Sequence, residues 1–165
     1  MQEVEIKYAV KDLDHKNDLI RAVPKIYPQA SLDKEAIVRS YFYEQITDKK
    51  LLAAICMAVF PGEHQNEALE IIDSCGDIMI KARSIDEQTQ FTIKGAKKGE
   101  DSVHAVSRRE LEVDMTEDLE KLNEILIRNG ASLVSKWYSE REYYELEDTL
   151  SLQIEFVSGY GYKAE

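Results

Sequence analysis

The chain has 165 residues, 44% hydrophobic and 32% charged, a composition that fits one globular domain with enough length to bury a core. Its net charge of −11 argues against a nonspecific binder of nucleic acid or anionic membranes, but leaves open an anionic small molecule held by local charge. Cys56 and Cys75 form neither a disulfide framework nor a CxxC metal motif, which fits a cytoplasmic protein, and the longest apolar run, 51–60, is too short to span a bilayer.

In chain order, residues 2–10 read as a strand. A helix capped by Asp12 or Asp14 runs to about Ala22 and is ended by Pro24 and Pro28. Residues 36–44, rich in β-branched and aromatic side chains, form a second strand. Residues 48–60 are helical in composition, Pro61-Gly62 breaks them, and 63–74 make a second helix closed by Gly76. Strands at 77–84 and 88–94 face each other across Ile85-Asp86-Glu87 as a hairpin. Residues 95–102 read as a mobile loop and 105–114 as a further strand. The clearest helix runs from Thr116, its N-cap, to Arg128, with Gly130 as C-cap. Strands follow at 132–146 and 150–157, and Gly159 and Gly161 mark a turn. The pattern is α+β with a dominant antiparallel sheet, which at this size curls or closes.

The opening segment Glu3-Val4-Glu5-Ile6-Lys7 places three charges on one strand face and two β-branched residues on the other. Later strands repeat this. Lys81 and Arg83 oppose Ile80 and Ala82, and Lys94 aligns with Thr92 and Gln90 against Phe91 and Ile93. Arg108, Glu110 and Glu112 oppose Leu111 and Val113, and Glu155 opposes Ile154 and Phe156. A solvated outer sheet face would account for any one such strand. The whole set also suits a site, because paired carboxylates offer hard oxygen ligands to a divalent cation and Arg and Lys suit phosphate oxygens. His15, His64 and His104 are too scattered for a zinc site.

The ordered set resembles the CYTH superfamily, the triphosphate tunnel metalloenzymes. Glu3-Val4-Glu5-Ile6-Lys7 resembles its ExExK motif, and Tyr41-Phe42-Tyr43 its Tyr-Phe-Asp strand. Lys81-Ala82-Arg83, Phe91-Thr92-Ile93-Lys94, Arg108-Arg109-Glu110-Leu111-Glu112 and Arg141-Glu142-Tyr143-Tyr144 resemble successive later strands, and 154–161 the segment leading to a final Glu-x-Glu at Glu165. The resemblance implies a single 1–165 domain, an eight-stranded antiparallel closed β-barrel with flanking helices and a charged tunnel. It implies phosphate ligands at Lys7, Lys81, Arg83, Lys94, Arg108 and Arg141, with Arg39 as a further candidate. It implies metal ligands for magnesium or manganese at Glu3, Glu5, Glu110, Glu112, Glu155 and Glu165. Catalysis would centre on Glu5, Lys7 and Glu112. The expected reaction is metal-dependent hydrolysis of a triphosphate-containing small molecule. Adenylate cyclase chemistry of the class IV type, and non-catalytic polyphosphate or nucleotide binding, are the alternatives. Lys81 stands where the family usually has Arg, and Tyr43 where it has Asp. The helical insertion at about 45–76 reads as a local packing hairpin, or else as a lid or homodimer surface.

Overall fold

The structure is a computed structural model that describes residues 8–97, 108–147 and 150–164. Among them are eight strands: β1 (Tyr8–Val10), β2 (Ser31–Tyr43), β3 (Cys75–Ile85), β4 (Gln88–Lys97), β5 (Arg108–Met115), β6 (Leu133–Glu147), β7 (Leu150–Val157) and β8 (Gly161–Ala164). Four helices accompany them: α1 (Leu13–Ile26), α2 (Lys49–Val59), α3 (Gly62–Ser74) and α4 (Leu119–Arg128). The strands form one antiparallel sheet in the order β1-β8-β7-β6-β2-β3-β4-β5. The class is α+β as expected. The expected closed barrel is corrected to an open sheet: β1 and β5 end the order, and no pairing among the described residues joins them. Only three residues of the first strand are described, and all three pair with β8.

The chain divides into two compact units. The first holds residues up to Val38 together with those from Trp137 onward, and the second runs from Arg39 to Lys136. In the second unit β3, β4 and β5 form a meander whose alternation decides its two faces. Ile78, Ile80, Ala82, Phe91, Ile93, Leu111 and Val113 are buried under the helices. Leu52, Ile55 and Cys56 of α2, Ala68, Ile71 and Ile72 of α3, and Leu122 and Leu126 of α4 supply the other side of this core. The inserted segment therefore gives its apolar face to the core rather than to solvent. In the first unit a smaller cluster forms around Val10, Ile154 and Ala164, with Leu19 and Ile20 of α1 packed on it.

Local chemistry explains where elements depart from the sequence expectation. Helix α1 passes Pro24 and ends at Ile26, because Pro24 falls in its last turn and the Tyr27 N–H still donates to the Val23 carbonyl at 2.8 Å. Helix α4 is capped by Asp118, whose side chain accepts from the Lys121 N–H at 2.9 Å, while the Thr116 hydroxyl donates to Glu117. Gly76 opens β3 instead of closing α3, beside a register shift at which Asp77 takes φ 43°. Strand β4 runs on through Gly95 to Lys97, into the expected loop. The Gly159-Gly161 region turns into β8, which pairs with both β7 and β1.

Candidate functional site

Across β3, β4 and β5 the face away from the helices is a ladder of polar and charged side chains. The register sets its rungs: Lys81 opposite Thr92 and Thr92 opposite Glu112, Arg83 opposite Gln90 and Gln90 opposite Asp114, Lys94 opposite Glu110. One Arg83 terminal nitrogen donates to both oxygens of Glu112 at 2.8 Å, and its Nε donates to Gln90 Oε1 at 2.8 Å. The Thr92 hydroxyl donates to Glu112 at 3.1 Å, and Gln90 Nε2 donates to Asp114 at 2.9 Å. Lys94 pairs with Glu110. The backbone of Arg108 pairs with that of Ala96. Cations and carboxylates thus share one sheet face, held there by the apolar residues between them.

The first unit carries a second charged face. Arg141 of β6 is opposite Glu155 of β7 in register, and its Nε donates to Glu155 Oε1 at 2.9 Å. The Ser139 hydroxyl donates to the same oxygen. Glu155 is 4% exposed, a buried carboxylate paired with this arginine. Burial works against the Arg141 charge. The hydrogen bond with Tyr143 and the charge and hydrogen bond of Glu155 outweigh it and raise the guanidinium pKa, so Arg141 stays a cation. Lys34 of β2, a cation that sequence reasoning passed over, lies 4.9 Å from the Tyr143 ring centroid on this face.

The structure therefore brings Lys81, Arg83, Lys94, Glu110 and Glu112 together on one face and joins Arg141 to Glu155 on another. Arg39 is exposed on β2, two residues before Tyr41, whose hydroxyl donates to Glu120 of α4. Glu3, Glu5, Lys7 and Glu165 lie outside the described residues. Among the described residues no three His, Cys, Asp or Glu side chains gather as a metal site. Glu110 and Glu112 nevertheless offer oxygen donors on one strand face, and these suit a hard divalent ion that completes its shell with water and phosphate oxygens. Thr92, Gln90, Asp114 and Ser139 share these faces as hydrogen-bonding partners. Alternation places the first three in the sequence, whereas Ser139 becomes visible only through the pairing of β6 with β7.

No protein-family model and no curated protein sequence matches the chain. Solved structures do. A protein of Pyrococcus horikoshii is similar over 99% of this chain and 76% of its own, with a TM-score of 0.65 and 14% identity. A conserved hypothetical protein from Pyrococcus furiosus covers 96% of this chain and 74% of its own, at a TM-score of 0.61 and 14% identity. A candidate adenylyl cyclase from Hippeastrum that shows a dominant triphosphatase activity covers 96% of this chain and 76% of its own, at a TM-score of 0.56 and 12% identity. No helix among the described residues is long and apolar enough to cross a membrane. The chain has the fold of these proteins.

Proposed function

We propose that this protein is a metal-dependent phosphohydrolase acting on a triphosphate-containing small molecule. The observation that carries the reading is the face of β3–β5, where Lys94 stands opposite Glu110, Lys81 is in line with Glu112 across Thr92, and Arg83 donates to Glu112. Arginine and lysine donors suit the oxygens of a polyphosphate, and carboxylates two residues apart suit its accompanying magnesium or manganese. Lys7, Arg108 and Arg141 extend the proposed set of phosphate ligands. Glu3, Glu5, Glu155 and Glu165 extend the proposed metal set, and Glu5, Lys7 and Glu112 the catalytic one.

When bound, a divalent ion supplies charge neutralisation on the phosphate oxygens and activation of water. The chain's own residues do the rest. Arg83 and Lys94 exchange their carboxylates for phosphate oxygens, hold the chain of phosphates along the strands, and stabilise the charge that develops at the transferring group. Thr92 and Gln90 keep Glu112 and Arg83 aimed across the strands.

The candidate cyclase with dominant triphosphatase activity supports a second reading, in which ATP is cyclised. One assay separates the two. The protein is incubated with tripolyphosphate, thiamine triphosphate or ATP, each with magnesium or manganese, and phosphate, pyrophosphate and cyclic AMP are measured. Release of phosphate is expected. Cyclic AMP with equimolar pyrophosphate would establish the cyclase instead, and metal-dependent binding without turnover would make the protein a binder.

A further inference from the structure

One rung of the β3–β5 ladder is built differently from the others. Arg83, Gln90 and Asp114 stand opposite one another on three successive strands, all within the second unit. The Gln90 amide is joined at both ends. Its Oε1 accepts from Arg83 Nε at 2.8 Å, and its Nε2 donates to Asp114 Oδ1 at 2.9 Å. Glu110 and Glu112, on the same strand as Asp114, each pair with a cation, Lys94 and Arg83. Asp114 has no ion-pair partner among the described residues, and the group it meets is the Gln90 amide.

A glutamine amide has an acceptor at one side and donors at the other, and a half-turn exchanges them. An ionised carboxylate only accepts. Asp114 therefore draws the NH2 group of Gln90 toward itself and leaves Oε1 for Arg83. That bond falls on Nε, whereas Glu112 is met by a terminal nitrogen of Arg83. The two holds are separate. When the terminal nitrogen leaves Glu112 for a phosphate oxygen, Nε can stay on Gln90, and the guanidinium plane keeps its direction. A planar fork gains from bidentate contact only when it is so aimed. Thr92 cannot replace this hold, because its hydroxyl donates to Glu112, the partner that is given up.

We propose that Asp114 is a positioning residue: through Gln90 it keeps the Arg83 guanidinium fixed by Nε while the terminal nitrogens take phosphate oxygens. Asp114 needs no contact with the phosphate for this. The proposal rests on the phosphohydrolase reading, and within it on phosphate capture by Arg83. Alternation puts Asp114 on the face of Glu110 and Glu112, and only the cross-strand partner tells its part from theirs.

A double-mutant cycle of Asp114→Ala with Arg83→Lys tests it. Lysine keeps a charge at that position but has no plane to hold. Asp114 is exposed, so its truncation opens no core. Turnover and calorimetric binding of tripolyphosphate with magnesium are measured on the four proteins, with urea unfolding of each. Asp114→Ala should lower kcat/KM roughly tenfold beside Arg83, and by less than about twofold in the Arg83→Lys background. Asp114→Asn, which keeps an acceptor oxygen, should recover most of the loss. Equal losses in both backgrounds would make the rung a fastening between strands and overturn the proposal, as would an unchanged rate in Asp114→Ala. Turnover by the unaltered protein alongside either result would leave the phosphohydrolase reading standing. Binding without turnover would end that reading alone, with the same cycle then read in affinity. Failure of the unaltered protein to bind or turn over tripolyphosphate would end both.

Discussion

Arg83 reaches Glu112 and Gln90 at once, and so fixes the geometry of two neighbouring strands as well as supplying charge. Its ion pair is only partly shielded, so its worth to stability is about 1 kcal/mol or less. In the proposed reaction, as a preorganised donor to a developing phosphate charge, it would be worth far more. Arg83→Ala is expected to lower tripolyphosphate turnover roughly 100-fold while shifting the melting temperature by only a few degrees. Arg83→Lys should recover part of the loss, since it restores charge without the fork. Steady-state kinetics with a thermal melt on the same samples checks both. A second residue-scale prediction concerns alkali. Burial pushes the Cys56 thiol up to about 12 and raises the phenols of Tyr43 and Tyr144. Each keeps its proton longer in the folded chain than in the unfolded one, whose thiol and phenols ionise near 9.0 and 10.0. Stability is therefore untouched below pH 9 and falls as pH rises from there toward 12. Melting temperatures should be flat between about pH 7 and 8.5 and decline above 9, with the decline starting about one pH unit later in Cys56→Ala.

At the scale of elements, β3 and β4 lie so close at Gly95 that an added Cβ would come 2.5 Å from the Cys75 Cβ. Gly95→Ala must spread two paired strands, and it should cost about 1–3 kcal/mol in urea unfolding with no change in the ladder residues. This is also the scale at which the sequence was most and least informative. Charged alternation in 78–84, 88–94 and 108–113 made the ladder legible, because a strand's period of two is rigid and each buried partner is strongly apolar. The capping of α4 was misread as Thr116. Both Thr116 and Asp118 are competent caps, and only the fold shows which one meets the first free N–H. Strand β8 was hidden because two glycines advertise a turn, and its pairing with β1 and β7 is non-local. Ser139 and Lys34 escape the sequence reading for the same reason: each meets its partner, Glu155 or Tyr143, from outside any short window.

For the molecule as a whole, the charge of −11 coexists with strand faces on which cations and carboxylates are paired. Any ligand that binds only the folded chain stabilises it by mass action, by about 2.7 kcal/mol at a hundred times its dissociation constant. Magnesium with tripolyphosphate should accordingly raise the melting temperature by several degrees, and magnesium alone by less; no shift at millimolar concentrations would count against the site. The cross-strand partnerships of Arg83 with Glu112 and Lys94 with Glu110 have a further consequence. Before a polyanion can be held there, each cation has to change partners, so capture is a swap of one anion for another rather than the filling of a bare positive surface. Dissolved salt weakens the contact being given up as well as the contact being made. Affinity should therefore decline with ionic strength more gently than the number of cations involved would suggest, and selectivity will lie in which anion better fits the fork of Arg83.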